Sequence, residues 1–556
     1  MGGEQMATVG TYSHQAINPD NHLFSSFKTM VESVFYGNNV TLVKDLATAY
    51  DLAKNVPGAV ITDMPVIHTK ELGLPQDAKV IVFNDGKITG RTAAARRVIG
   101  QPGIDRTFYE GVLRQALYDG QHHNFYRGEV SVGLDPEFMV KGHLLLPEGY
   151  ETNFYSYLLN FQILTNEFQE LYATSIAYPE NDIYLYADPT WTHPDFPHGL
   201  ALFDPEHNVA AVLGLNYFGE LKKATLTLAW ATAHRNGFVA CHGGMKQYHK
   251  DDSKFTMAAF GLSGSGKSTI TLAKHGDKYQ VDVLHDDAFV INKEHGSTTA
   301  LEPAYFDKTQ DYPLEDEAVK YFLTCQNVGV TLDDEEKKVI VTQDIRNGNG
   351  RTVKSRYVTP NRVDHLKEAV DAIFWIMKDD SLPPIVKIDD PTLAAVFGLT
   401  LATKRTTAEN VVGNVDLDKL VIEPFANPFR CYPLGQDYAD FREIFANEKT
   451  DTACYILNTG FYKGKKVKPQ DTLGAIEKIV EETADFIPFG PLENMSYLPI
   501  EGFEVDFTDP TYLTQLKVRM QGRLDFILAQ TKENEGYNAL PEEVAKVMEK
   551  LMEQIV

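Results

Sequence analysis

The sequence predicts an α/β protein of several structural units, on three observations. The chain has 556 residues, 43% hydrophobic and 23% charged, which is ordinary globular usage and enough length for roughly two to four structural units. Its N-terminal half mixes short apolar strands with helical stretches. From Thr256 onward a short strand, a glycine-rich turn and a helix follow one another directly.

Taken in order, Lys79-Val80-Ile81-Val82-Phe83 reads as a strand closed by the Asn84-Asp85-Gly86 turn. Ala201 to Leu215 reads as two apolar runs on either side of a break at His207-Asn208. Glu220 to Ala233 has helical periodicity, and Gly237 to Cys241 is a buried strand. Thr256 to Phe260 is a second short strand, and Ser268 to Ala273 opens a helix. At the C-terminus, Pro541 suits the first turn of a helix that carries Val544, Val547, Met548, Leu551, Met552 and Ile555 on one face, expected to pack onto the body. The change of grammar near residue 240 divides the chain into an N-terminal domain, 1–240, and a C-terminal nucleotide-binding domain, 241–556.

The charge balance excludes whole classes of partner. Asp and Glu total 77 against 52 Lys and Arg, a net charge of −25 at pH 7. A field of that sign repels nucleic-acid backbones and anionic lipid, so neither is expected as a partner, and an anionic small substrate requires a local basic cleft. The four cysteines, Cys241, Cys325, Cys431 and Cys454, have no C-x-x-C spacing. They point to a reduced, cytoplasmic protein. The start lacks the basic and apolar stretches of a secretory signal, and no run approaches the roughly 18 apolar residues that cross a bilayer. A monomer or small homo-oligomer is expected.

Gly261-Leu262-Ser263-Gly264-Ser265-Gly266-Lys267-Ser268-Thr269 fits G-x-x-x-x-G-K-[ST]. Its glycines let successive N–H groups face one concavity, Lys267 reaches the β/γ-phosphates, and the Ser268 hydroxyl can ligate Mg²⁺. A flexible Gly/Ser turn would match by chance, but the flanking strand and helix favour the phosphate loop. Downstream, Val283 to Phe289 reads as a strand that ends in the pair Asp286-Asp287, where carboxylates hold metal in phosphoryl-transfer sites. Without the loop, the same residues would read equally well as an exposed polar connection.

Taken together, these motifs resemble the phosphoenolpyruvate carboxykinases, in particular the ATP-dependent branch. The family loop G-L-S-G-T-G-K-T is present with Ser265 and Ser268 for the two threonines. Its Y-x-G-E-M-K-K is similar to Tyr217-Phe218-Gly219-Glu220-Leu221-Lys222-Lys223, its M-H to Cys241-His242, and its G-D-D to His285-Asp286-Asp287. Thr89-Gly90-Arg91-Thr92 resembles T-G-R-S, and Leu382-Pro383-Pro384, Asn458-Thr459-Gly460 and Asp471-Thr472 match further elements. The likeness runs from about residue 85 to about residue 530.

The resemblance implies a two-lobed carboxykinase-like fold with a mixed-sheet P-loop domain. It implies reversible decarboxylation of oxaloacetate with phosphorylation by ATP, giving phosphoenolpyruvate, CO₂ and ADP. Lys223, His242 and Asp287 would hold Mn²⁺, and Ser268 Mg²⁺ on the nucleotide. Lys223 would need a neutral amine to serve as a ligand. Lys267, Lys223, Arg351 and Asp286 would be catalytic. Arg91, Tyr217 and Lys222 would bind substrate, and Lys466 and Thr472 would join the loop in binding ATP. Arg351 takes the place of the second active-site arginine, with Arg346 and Arg356 as alternatives in the same segment. A lone histidine after an apolar strand is ordinarily a satisfied core residue; for His242 the resemblance reverses that reading.

The chain also departs from the family. Thr92-Ala93-Ala94-Ala95-Arg96 replaces S-P-K-D-K, and Met377-Lys378-Asp379-Asp380 replaces D-A-F-G before the L-P-P. The lid segment Leu399 to Glu409 keeps Lys404 and Glu409 but not its glycines, and Lys466 stands where the family has an arginine near the base. These changes leave open a relative that phosphorylates another small acid or alcohol, a kinase acting on a protein, and a non-catalytic nucleotide sensor.

Overall fold

The computed structural model describes residues 7–86, 93–262, 264–343, 348–404 and 420–555. Among these residues the chain is mixed α/β, with thirteen α-helices and several mixed sheets. It divides into two compact units. The first gathers the described parts of Met1–Thr232 and Ala300–Pro360, the second those of Ala233–Thr299, Asn361–Thr406 and Asp416–Val556.

The sequence reading places one boundary near residue 240. The chain passes between the units at 232/233, within the helix Phe218–Arg235, and the segment 300–360 returns to the first unit. Strand pairing is the reason. Phe322–Gln326 lies parallel to Lys79–Phe83, Thr324 opposite Ile81 and Gln326 opposite Phe83. Parallel partners need a long crossover, so local composition carries no trace of such a return.

In the first unit an eight-stranded sheet runs Val40–Val43, Phe125–Asp135, Phe138–Pro147, Ile183–Asp188, Val209–Leu213, Leu200–Asp204, Arg96–Val98, with Gln162–Ile163 beside the second of these. Leu200–Asp204 and Val209–Leu213 form the antiparallel pair that the His207-Asn208 break predicts, and Asn208 turns the chain at φ 56°. Phe27, Leu113, Leu145, Leu202 and Val209 are central to the core on this sheet. A five-stranded sheet, Tyr305–Lys308, Arg351–Lys354, Phe322–Gln326, Lys79–Phe83, Val60–Pro65, completes the unit's main strands.

The second unit is built on a ten-stranded mixed sheet. At its centre Phe238–His249 lies antiparallel to both Lys254–Phe260 and Gln280–Asn292. Lys254–Phe260, Ala372–Met377 and Ala453–Asn458 then run parallel, Phe260 opposite Trp375 and Met377 opposite Asn458. Their C-terminal ends share one edge of the sheet, the edge where ligands bind in α/β proteins. The C-terminal helix Glu542–Glu553 buries Val544, Met548 and Leu551 against the helices Pro510–Gln530 and Pro391–Leu399. Among the described residues no helix is long and apolar enough to cross a membrane.

Candidate active site

The phosphate loop leaves the C-terminal end of Lys254–Phe260 and enters the helix Lys267–Leu272. Gly264 and Gly266 take φ 81° and 97°, conformations that a side chain would strain, and Gly266 caps the helix. A Cβ on Gly261 would lie 2.4 Å from Ser265 Oγ and 3.0 Å from Ile376 Cβ, so the loop's first position has room only for glycine. Ser265 N–H closes the turn on Leu262 O at 3.0 Å, and Ile270 N–H continues the helix to Gly266 O at 3.0 Å. Ile270 anchors the helix in a core with Met257, Val283 and Ile376. Ser263 lies outside the described residues.

Behind the helix Lys246 is buried, and its Nζ donates to Ile270 O at 2.6 Å and Ala273 O at 3.0 Å. It thereby satisfies carbonyls that the helix end leaves open. The ring of Tyr248 lies 4.5 Å from the same ammonium. Burial pulls the Lys246 pKa down to about 7.

Asp286 and Asp287 do not stand at a strand end, as the sequence suggests. They lie in the middle of the strand Gln280–Asn292, paired with Gly244 and Gly243. The register slips where Met245 faces His285 but Lys246 faces Val283, so Leu284 is an extra residue next to the carboxylate pair. Bulges of this kind re-aim side chains, and here both carboxylates come within 3.8 Å of Lys267 Nζ. The facing Gly244 leaves room for the loop helix, since a Cβ there would fall 1.9 Å from Thr271 Oγ1, and a Cβ on Gly243 would fall 2.7 Å from Ala259 O on the neighbouring strand.

His242 is mostly buried, and its two ring nitrogens are distinguishable. Nδ1 lies 2.5 Å from Ala426 O, and a carbonyl only accepts, so Nδ1 carries the proton. In the neutral ring this leaves an in-plane lone pair on Nε2, which lies 2.9 Å from Asp287 Oδ1. Two acceptors face each other there, an arrangement that a proton or a cation must bridge. A neutral imidazole oriented by a backbone carbonyl beside an anionic oxygen is the donor set of a divalent metal site, so the residues fit the cation.

A cleft of about 180 Å³ opens beside the loop, lined by Gly264, Ser265, Gly266, Thr269, Ile270, Lys378, Thr459, Lys466, Val467, Lys468, Pro469, Thr472 and Leu473. Lys378, Lys466 and Lys468 supply the local positive charge that the acidic chain lacks overall. Lys378 Nζ donates to Gly264 O at 3.0 Å, Thr459 Oγ1 to Ser265 O at 2.7 Å, and Lys466 Nζ to Thr459 O at 3.0 Å. The sequence motifs point to Lys466 and Thr472 here but give no role to Lys378, Thr459 or Lys468. The signal that could have found them is topological: Lys378 and Thr459 each come directly after a strand parallel to the loop strand.

In the first unit, Tyr217 precedes the helix Phe218–Arg235, whose first amide, Phe218 N–H, donates to Gln326 Oε1 at 3.0 Å. Gln326 stands opposite Arg351 in the neighbouring strand, so one glutamine ties the helix start to the arginine strand. Arg351 folds back onto its own loop, donating to Gly348 O at 3.0 Å and Gly350 O at 2.9 Å. Burial raises the pKa of Tyr217 against an opposing pull from Arg351, so the phenol keeps its proton and remains a donor. Lys222 is buried in an ion pair with Glu302 at 3.0 Å, and Lys223 is half-buried with Nζ 5.9 Å from the Trp230 ring. Arg91 and Arg346 lie outside the described residues, as do residues 405–409 of the lid segment, Glu409 among them.

Residues 54–497 match the family model described as phosphoenolpyruvate carboxykinase. Three relatives are each named phosphoenolpyruvate carboxykinase (ATP). The chain is 25% identical to that of Aeropyrum pernix over 310 residues, 53% of this chain and 60% of the relative. It is 22% identical to that of Dictyostelium discoideum over 490 residues, 80% of each chain. It is 23% identical to that of Saccharomyces cerevisiae over 509 residues, 82% of this chain and 83% of the relative. With a family match over most of its length, the chain belongs to the ATP-dependent phosphoenolpyruvate carboxykinase family.

Proposed function

We propose that the protein catalyses the reversible conversion of oxaloacetate and ATP into phosphoenolpyruvate, CO₂ and ADP. One observation carries the reading: the facing pair His242 Nε2 and Asp287 Oδ1, 2.9 Å apart, beside a phosphate-loop lysine that is 3.8 Å from Asp287. A nucleotide pocket alone would need no such pair. The two units then correspond to the two lobes of the family fold, the first handling the organic acid and the second, the P-loop domain, the nucleotide.

The loop amides and Lys267 bind the triphosphate, and Lys267 exchanges its nearby carboxylates for phosphate oxygens when ATP enters. Lys466 and Thr472 border the base end of the cleft. His242 and Asp287 hold Mn²⁺, with Lys223 as third ligand on the shared Tyr217–Lys223 motif, and Ser268 holds Mg²⁺ on the nucleotide. These cations supply fixed positive charge that lowers the energy of negative charge developing on oxygen. Ala426 O keeps the His242 proton on Nδ1, so Nε2 stays a lone-pair donor. Asp286 accepts hydrogen bonds beside the transferring phosphoryl group. Arg91 and Tyr217 seat the oxaloacetate carboxylates and Lys222 adds charge near them, while Arg351 offers a planar pair of donors to carboxylate or phosphoryl oxygens. The four buried thiols suit a reducing compartment, the cytoplasm.

A coupled assay of ADP formation tests the reading. Turnover that requires oxaloacetate and Mn²⁺, and that is lost in Lys267→Ala, is the expected result. ATP binding without turnover would make the protein a sensor, and turnover only with a different acceptor would make it a kinase of another small molecule.

A further inference from the structure

Three parallel strands of the second unit end together, and the chain just beyond each of them converges on the phosphate loop. Phe260 leads into the loop itself, Asn458 into Thr459, whose hydroxyl donates to Ser265 O, and Met377 into Lys378, whose ammonium donates to Gly264 O. We propose that Lys378 is a phosphate contact for the bound nucleotide, determining donor affinity at the rim of the loop nearest the base. The inference rests on the reading that this cleft binds ATP, and it adds a residue to which the sequence motifs give no role.

Lys378 is carried on a rigid mount. Its N–H donates to Ala402 O at 3.0 Å. The next residue, Asp379, is fully buried, accepts from Arg523 at 2.8 Å and from Ser381 N–H and Oγ–H at 3.0 and 2.7 Å. Asp380 accepts from Arg519 at 2.9 Å. On its other side Gly460 packs closely, since a Cβ there would lie 3.3 Å from both Cα and Cβ of Lys378. The point where the Lys378 side chain leaves the backbone is therefore fixed against the loop, and the flexible stem has only a short distance to carry the ammonium.

The side chain lines the same cleft as Lys466, Thr472 and Leu473, on the Gly264–Gly266 half of the loop and away from the Asp286-Asp287 pair. Lys267 already serves the phosphates at that carboxylate end. An ammonium at the opposite rim meets the phosphates nearest the nucleoside. In a chain of net charge −25, a triphosphate gains most from cations placed along its whole length.

Equilibrium titration of the full-length protein with adenosine, AMP and ADP tests this, because it needs no turnover. In Lys378→Met, which keeps the stem and removes the charge, affinity for ADP falls by about tenfold or more, the size of one charged hydrogen bond. Adenosine binding is unchanged, and Lys378→Arg recovers part of the loss. Unchanged ADP affinity in Lys378→Met overturns the proposal. An equal loss for adenosine and ADP also overturns it, since that would make Lys378 a structural tie of the loop. Wild-type protein that binds none of the three would instead sink the nucleotide reading itself.

Discussion

His242 donates its Nδ1 proton to the carbonyl of Ala426 and so holds Nε2 2.9 Å from Asp287 Oδ1. The carbonyl holds the ring angle and the Nδ1 proton of the imidazole, as an outer carboxylate does for a metal-bound histidine. Replacing His242 by Ala should raise the Mn²⁺ concentration for half-maximal activity by at least about tenfold. A Mn²⁺ activation curve that superimposes on the wild type would remove His242 from the cation site.

The helix after the glycine-rich loop sits close against its sheet at Gly244. Gly244→Ala places a methyl 1.9 Å from Thr271 Oγ1, on the helix that Lys267 opens. Overpacking of this kind should cost about 2 kcal/mol in urea unfolding and weaken ATP binding. Adding Thr271→Ala should return part of both losses, and a double variant no better than the single one would place the strain elsewhere.

Asp379 and Arg523 form a buried ion pair at 2.8 Å, both almost fully excluded from solvent. Burial alone would raise the Asp379 pKa, but the Arg523 guanidinium and the Ser381 hydrogen bonds outweigh it and hold the carboxyl below its usual value. Asp379→Asn leaves the guanidinium without its counter-charge and should cost roughly 3 kcal/mol at neutral pH. A carboxyl with a depressed pKa stabilises the fold above its unfolded value of 3.8, and that contribution is lost as pH falls through its folded value. The gap between wild type and variant should therefore close on acidification. A gap independent of pH would show that packing, and not charge, is what the substitution removes.

Lys246 gives the opposite charge type. Its ordinary value of 10.5 falls to about 7 through burial, so between these pH values the folded state holds fewer protons than the unfolded one. Stability then rises with pH across that window, by up to about 1.4 kcal/mol per pH unit, and the contribution is lost again as pH falls towards 7. Lys246→Met lacks this rise. Urea unfolding of both proteins from pH 7 to 10 should show wild type gaining on the variant; parallel curves would mean that Lys246 is not buried as a titrating group.

Much of the second unit was legible in the sequence because its signals are local. The strand Lys254–Phe260, the loop glycines and the helix from Lys267 lie within twenty residues, and each is dictated by apolar runs or positive φ. The same holds for the hairpin turning at Asn208 and for the buried stripe Val544, Met548 and Leu551. The carboxylate pair was legible as chemistry but not as geometry. Nothing in Val283 to Phe289 announces that the strand continues to Asn292, or that a bulge at Leu284 stands beside Asp286 and Asp287.

By itself, then, the sequence determined a glycine-rich turn between a strand and a helix, the residue types able to hold a cation, and the family to which they point, since each depends on a few neighbouring side chains. Only the tertiary structure decided which nitrogen of His242 carries the proton, that Ala426 holds it there, that segment 300–360 joins the first unit, and that Lys378 reaches the loop. These are pairings between residues far apart in the chain, set by strand order and register. Local propensity does not encode such partners; the energy of burying the whole sheet selects them together.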